Sequence, residues 1–345
     1  MRILVTGGAG YIGVTVSGLL AERGHNVLVL DNLGHGRRDL LPSGVGFLHG
    51  EIADRSLLES IFSSAAKEGN PFDGVMHFAA LIEAGESMKR PETFFRNNTA
   101  ATLSLLEAMV ATGPRRLVFS STAAVYGEPE TVPIEEDAKL APTNAYGESK
   151  LLTERMLAWF SLIHGFQCAS LRYFNVAGAP ERPDGSIVSG EAHDPESHLI
   201  PLVLDVALGR RAAIRIYGND YPTQDGTCIR DYIHVSDLAE AHLLAFSALQ
   251  NRTGTFTNSS SDGSNRAYNL GNNEGFSVLQ VVEAARRVTG HPIPVEIHPR
   301  RPGDPAVLVA SSGRARRELG WAPRYANLDD IVRTAWVWHQ QRYTR

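Results

Sequence analysis

Tyr146 and Lys150 stand four residues apart in Asn144-Ala-Tyr-Gly-Glu-Ser-Lys150. On a helix that spacing puts both side chains on one face. A free phenol ionises near pH ~10, too high for a base at neutral pH, and a nearby ammonium favours the phenolate. The two are therefore expected to act as a proton-transfer pair, with Lys150 lowering the pKa of Tyr146. Thr122 closes the apolar run in Phe119-Ser-Ser-Thr-Ala-Ala-Val-Tyr126. A hydroxyl there can orient a reacting hydroxyl and join a short proton path. A Tyr-x-x-x-Lys spacing alone usually marks an exposed helix face. Here it follows a hydroxyl-bearing strand end and, further upstream, a glycine loop.

That loop is Thr6-Gly-Gly-Ala-Gly-Tyr-Ile-Gly13, which places Gly7, Gly10 and Gly13 at GxxGxxG spacing between an apolar run and a helical segment. The first glycine permits the tight turn, the second lets a pyrophosphate approach backbone amides, and the third lets helix pack on strand. Asp31 ends the next apolar run. A carboxylate there accepts from the adenosine ribose hydroxyls and repels a 2'-phosphate, which favours NAD over NADP. Arg37 and Arg38 read as a solvated loop pair.

The elements that must position these groups are six short apolar runs, at residues 2–6, 26–31, 45–49, 74–79, 116–121 and 168–173. Amphipathic segments separate them: Gly13–Arg23, Ser56–Glu68, Asn97–Thr112 and Ser149–His164. Strands so continuously apolar are covered on both faces, and their alternation with helices predicts an α/β fold with a Rossmann-type, doubly wound parallel sheet. After about residue 180 the chain becomes rich in Pro, Gly and Asp. This predicts residues 1–180 as a dinucleotide-binding domain and 181–345 as a smaller mixed α/β substrate lobe, with a segment near 230–250 returning to the first domain. Thr257–Asn265 reads as a polar surface insertion. The segment from Ser149 is apolar on more than one face, so one face meets the sheet and the other a second subunit or the C-terminal lobe.

Composition excludes several classes. The 345 residues, 43% hydrophobic with a net charge of −5, describe an ordinary globular protein with no basic excess for a nucleic-acid partner. No apolar stretch could span a bilayer and the start does not read as a signal peptide, so no membrane role and a cytoplasmic location are expected. Cys168 and Cys228 are expected as buried thiols, and the twelve histidines show no HxH or HExxH spacing, so no metal is expected. His77, inside Val75-Met-His-Phe-Ala-Ala80, reads as packed.

GGAGYIG, SSTAAVYG and YGESK resemble the motifs of the extended short-chain dehydrogenases/reductases. The later segments Leu171-Arg-Tyr-Phe-Asn175, Tyr217 to Val235, Tyr268-Asn-Leu-Gly and Arg300-Arg-Pro-Gly-Asp304 are similar to the UDP-glucose/UDP-galactose 4-epimerase family. The resemblance spans roughly residues 1–340. It implies reversible NAD-dependent 4-epimerisation of a UDP-hexose through a 4-keto intermediate, with Tyr146 as base, and it implies a homodimer. It assigns Tyr11, Ile12, Asn32, Glu51, Ile52, Phe78, Ala79, Ala80, Asn97 and Tyr173 to the NAD site with the glycines, Asp31, Tyr146 and Lys150. It assigns Thr122, Asn175, Leu199, Arg230, Arg301 and Asp304 to the UDP-sugar. Guanidinium groups suit paired phosphate oxygens, which supports Arg230 and Arg301 independently.

This chain departs from the family pattern in places. Ile82 replaces a lysine, Glu51 an aspartate, Ala124 a hydroxyl and His198 an asparagine near the hexose, while Leu308 stands where side-chain bulk limits the sugar. A 4,6-dehydratase would need an Asp-Glu pair where this chain has Ala123-Ala124. A UDP-N-acetylglucosamine or UDP-glucuronate 4-epimerase would share the chemistry, and an NAD-responsive binding protein without activity would not need Thr122, Tyr146 and Lys150 together.

Overall fold

Strands buried on both faces need apolar side chains at every position, and the first strand, Arg-Ile-Leu-Val-Thr, meets that demand with Ile3, Leu4 and Val5 fully buried. The structure is a computed structural model that describes residues 1–250, 265–301 and 304–344. The polar insertion expected at 257–265 lies almost wholly outside them.

In chain order the first half comprises β1 (Arg2–Thr6), α1 (Tyr11–Glu22), β2 (Asn26–Asp31), β3 (Gly46–His49), α2 (Arg55–Lys67) and β4 (Gly74–His77). Then come the short α3 (Ala84–Ser87) and α4 (Pro91–Phe94), a π-type turn at Phe95–Ala100, α5 (Ala101–Thr112), β5 (Arg116–Thr122) and α6 (Ala145–His164). The second half follows with β6 (Gln167–Tyr173), β7 (Asn175–Ala177), α7 (Leu199–Ala207), β8 (Ile214–Tyr217), β9 (Ile229–His234), α8 (Val235–Gln250) and β10 (Asn265–Leu270). It ends with β11 (Gly275–Ser277), α9 (Val278–Thr289), β12 (Val295–His298), β13 (Val307–Leu308), α10 (Gly313–Leu319) and α11 (Leu328–Thr344).

The main sheet has seven parallel strands in the order β10-β6-β5-β4-β1-β2-β3. The six apolar runs correspond to β1 through β6. Alternate residues feed two cores, as a period of two requires. Ile3, Val5 and Val118 pack beneath α1 and α8 with Val16, Leu20, Leu238 and Phe246. Leu4, Leu117 and Phe119 pack on the other face with Leu58, Phe62, Leu105 and Leu157. Each such fully buried side chain contributes roughly 1.5–3 kcal/mol.

The chain then returns to this sheet twice. Helix α8 packs on α1, β5 and β6, and β10 extends the sheet with Tyr268 opposite Leu171. The remaining strands form a sheet around β9, flanked by β7, β11 and β13, and a β8–β12 pair. Helices α7, α9 and α11 close a third core there around Val203, Val281 and Ile331. Among the described residues no helix is long and apolar enough to cross a membrane. Both cysteines are buried and unpaired.

Helix α6 carries the proton-transfer pair and is well delimited. The Asn144 carboxamide oxygen caps it by accepting from Gly147 N at 2.8 Å, and Gly165 ends it at φ 68°. Its inner face buries Leu151 and Leu157, whereas Trp159 and Ile163 are each 65% exposed and Leu162 is exposed beside them. The C-terminal lobe does not cover this face.

Candidate active site

The glycine loop follows β1 as its chemistry demands. Gly7 sits at φ +71°, and a Cβ there would lie 2.4 Å from the Ala79 amide nitrogen. A Cβ on Gly13 would meet Gly7 O at 2.4 Å, so α1 can approach β1 this closely only with glycine. A Cβ on Gly10 would have only Gly7 O nearby, at 3.4 Å, which leaves that side of the loop open. Gly10 supplies no side-chain cap to α1, so the first helical amides remain for an anion. At the end of β2, the Asp31 carboxylate accepts from Ala9 N (2.9 Å) and Leu33 N (2.8 Å), which fixes it at the cleft wall. Beyond it Asn32 donates to Glu51 at 3.1 Å, and Ile52 lines the same end. An open diphosphate cradle with a fixed carboxylate one strand away fits NAD.

From this loop a cleft of 460 Å³ runs to the C-terminal ends of β4, β5 and β6, where Phe78, Ala79, Ala80, Asn97, Tyr173, Thr122 and Tyr146 line it. The neighbouring Asn98 holds the cleft edge by exchanging two 2.9 Å hydrogen bonds with the backbone of Leu81. All the residues expected at the cofactor converge here except Lys150, which is buried behind the wall.

Thr122 Oγ1 accepts from Ala124 N at 3.1 Å, and the threonine hydroxyl sits beside the Tyr146 phenol, where it favours the phenolate. Burial pushes the Tyr146 pKa up to about 12; the Thr122 hydroxyl opposes this and the Glu83 carboxylate adds to it. Lys150, expected to draw this pKa down, makes its own contacts on the neighbouring strand. The Lys150 ammonium donates to Ser120 O at 2.9 Å and lies 4.9 Å from the Phe119 ring centroid. Its stem crosses from α6 to a strand-end carbonyl, and burial lowers its own pKa to about 7. Tyr146 and Lys150 thus share a helix face but not a hydrogen bond.

Below them lies a polar frame that periodicity does not mark. Glu154, one turn beyond Lys150, takes the Arg172 guanidinium of β6 on both carboxylate oxygens and accepts from the Ser121 hydroxyl at 2.5 Å. Arg172 also donates to the Tyr126 hydroxyl at 2.9 Å, and Tyr126 donates to Asn269 of β10 at 2.6 Å. A charged residue inside the apolar run Ser170-Leu-Arg-Tyr was the signal that could have revealed it. His77, by contrast, packs as expected, between the hydroxyls of Thr6 (2.6 Å) and Thr102 (2.8 Å).

The residues assigned to the UDP-sugar divide. Asn175 lines the cleft with Thr122, and its amide donates to Asp231 O at 3.1 Å. Leu199 opens α7, Arg230 forms an ion pair with Asp304, and the Arg301 guanidinium stands 4.0 Å from the Tyr217 ring centroid. These four do not line the cleft. Pro302 and Gly303, between Arg301 and Asp304, lie outside the described residues.

One further cluster borders the cleft. Glu191, His193, Glu196 and His198 come together on the loop before α7. The Glu191 and Glu196 carboxylates push the His198 pKa well up against the effect of burial, and the two histidines hold Glu191 well down. The segment Glu191-Ala-His-Asp-Pro-Glu-Ser-His198 has neither an HxH nor an HExxH spacing.

Residues 3–271 match the NAD dependent epimerase/dehydratase family. The chain is 51% identical to a UDP-glucose 4-epimerase of Halalkalibacterium halodurans, covering 99% of this chain and 96% of that protein. It is 53% identical to the UDP-glucose 4-epimerase of Streptomyces lividans, covering 98% and 96%. The crystal structure of the Bifidobacterium longum UDP-glucose 4-epimerase in complex with NAD+ and UDP superposes with a TM-score of 0.88 at 36% identity, covering 100% of this chain and 99% of that one. With its glycine cradle, Asp31 and the Thr122–Tyr146 pair in one cleft, the chain belongs to the NAD dependent epimerase/dehydratase family, alongside the UDP-glucose 4-epimerases.

Proposed function

We propose that this protein catalyses the reversible NAD-dependent 4-epimerisation of a UDP-hexose, interconverting UDP-glucose and UDP-galactose, and so serves galactose metabolism. The observation that carries this reading is the shared cleft: Thr122 and Tyr146 stand at one end of a space whose other end is the dinucleotide cradle. NAD would be held by the glycine loop, Asp31 and the wall of Phe78, Ala79 and Asn97, where it would supply a reversible hydride acceptor for C4 of the hexose and a positive charge in the cleft. Tyr146 removes the proton of the 4-hydroxyl and later restores it, with Thr122 relaying it over one hydrogen bond. A phenol held up at about 12 needs positive charge nearby before it can act as a base. Lys150, fixed on Ser120 O, supplies part of that charge when protonated.

Arg230 and Arg301 are assigned the diphosphate and Asp304 the uridine ribose, with Leu199 and Asn175 as further UDP-sugar contacts. Anchoring the nucleotide while the 4-keto hexose turns over lets both faces of C4 meet the same hydride carrier. The absence of an acidic pair at Ala123-Ala124 disfavours dehydration. Trp159, Leu162 and Ile163 on α6 form a contiguous exposed apolar face that suits a homodimer.

The experiment is NMR of the purified protein with UDP-galactose, UDP-N-acetylgalactosamine and UDP-glucuronate, separately and without added cofactor, alongside Tyr146→Phe. Conversion of UDP-galactose to UDP-glucose without net NADH is expected, and Tyr146→Phe is expected to lower kcat by roughly 10²–10⁴-fold while retaining NAD. Unchanged turnover in Tyr146→Phe, or stoichiometric NADH release, overturns the assignment.

A further inference from the structure

We propose that Glu191, His193, Glu196 and His198, on the loop that enters α7, form a binding site for a divalent transition-metal cation of the Zn²⁺ type at the mouth of the cleft. Each residue offers one ligand atom, and the four atoms lie within 4.8 Å of one another. The edges of this group are short. His198 Nδ1 is 2.7 Å from Glu191 Oε1 and 3.3 Å from Glu196 Oε1, and His193 Nδ1 is 3.1 Å and 3.9 Å from the same two oxygens. Ligands ~2.0–2.1 Å from a tetrahedral Zn²⁺ are separated by about 3.3 Å, and these four edges bracket that length.

A second observation separates this group from an ordinary ion-pair cluster. His198 Nδ1 and Glu196 Oε2 are buried with no hydrogen-bond partner, so the 2.7 Å approach of His198 to Glu191 lacks the alignment of a hydrogen bond. Within the group only His193 Nδ1 and Glu191 Oε1 make an aligned hydrogen bond, at 3.1 Å, while Glu196 Oε1 accepts from the backbone amides of Ser197 and His198. Polar atoms shut off from water without a partner are unfavourable, and a bound ion would satisfy them. The chemistry of the set agrees: two imidazoles and two carboxylates suit a borderline cation and balance its double charge.

The site also has a definite place in the molecule. Tyr11 of the glycine loop presents its ring edge to His193, with centroids 6.5 Å apart, and donates its hydroxyl to Gly178 O at 2.6 Å. Glu191, His193 and His198 all line the cleft. An ion here would therefore brace the loop before α7 against the cofactor cradle. A proton is its competitor, because imidazole and carboxylate ligate only when deprotonated.

The test uses the full-length protein with its NAD, stripped of metal by chelator and titrated with Co²⁺ and Zn²⁺. The expected result is one Co²⁺ per chain with the intense visible bands of four-coordinate cobalt, displaced by one Zn²⁺. His193→Ala and Glu196→Gln, checked for folding by circular dichroism and NAD content, are expected to weaken binding more than about tenfold, whereas His291→Ala, outside the cluster, leaves it unchanged. Absence of the four-coordinate bands, or wild-type affinity in both cluster variants, overturns the site and leaves a proton-bridged cluster in its place.

Discussion

Arg172→Met probes the frame beneath the reactive groups. The Arg172 and Glu154 side chains are 5% and 9% exposed. The guanidinium donates to the carboxylate at 3.0, 3.2 and 2.6 Å, to Tyr126 at 2.9 Å and to Glu136 O at 3.0 Å. Methionine keeps most of the stem and none of the donors, so Glu154 retains only the Ser121 hydroxyl. Stranding a buried carboxylate costs roughly 3–5 kcal/mol. With an unfolding entropy of about 2.1 cal/mol/K per residue over 345 residues, that lowers Tm by roughly 4–7 °C. Glu154→Leu combined with Arg172→Met removes both charges, and most of the loss is expected to return because desolvation largely offsets the attraction within such a pair. Calorimetry of the wild type, both single variants and the double variant gives the coupling directly. Because Glu154 lies one turn beyond Lys150 and Ser121 adjoins Thr122, kcat is also expected to fall in Arg172→Met with little change in KM. A cost below about 1 kcal/mol, or additive costs in the double variant, would falsify the idea that the pair acts as a unit.

His77 is fully buried, and burial, aided by the Lys150 charge, lowers its pKa to about 3. A base with a depressed folded pKa stabilises the protein fully above its unfolded pKa, and that contribution is lost as pH falls from 6.5 towards 3. The destabilisation caused by His77→Gln is therefore expected to be about 2 kcal/mol smaller at pH 5 than at pH 7 in urea unfolding; equal costs at both pH values would show that the imidazole is not held neutral. Trp159→Glu with Ile163→Glu places charge on the open face of α6, and light scattering is expected to show a dimer become a monomer. A wild-type mass in that variant would mean that another surface, or none, joins the subunits.

The six strands with both faces buried were legible because a short run that is apolar at every position, bounded by turn residues, fits little besides a strand covered on both sides. The same holds for the glycine loop, whose spacing and neighbours act together, and for Thr122 and Tyr146, which end β5 and begin α6. The seventh strand was not legible. Asn265-Arg-Ala-Tyr-Asn-Leu270 mixes polar and apolar residues with no clean period and joins the sheet edge only because β6 is there to receive it. The reach of Lys150 to Ser120 O was hidden for a related reason: helical spacing gives the face a side chain leaves from, while the acceptor belongs to another element. Glu191 to His198 lie on a loop without periodicity, so their convergence is a property of the chain path.

The seventh strand sets a schedule for biosynthesis. Strand β6 ends at Tyr173 and its partner β10 ends at Leu270, so a growing chain waits for nearly a hundred more residues before that edge is paired. At ribosomal rates of ~5–20 residues per second the delay is roughly 5–20 s. Until α8 and β10 emerge, β6 presents an open edge and the sheet face shared by α1 and α8 has only α1 to cover it, a template for unwanted pairing between nascent chains. Slower translation after residue 173 lengthens that exposure, and codon choice within residues 174–270 becomes a determinant of how much folded protein a cell obtains.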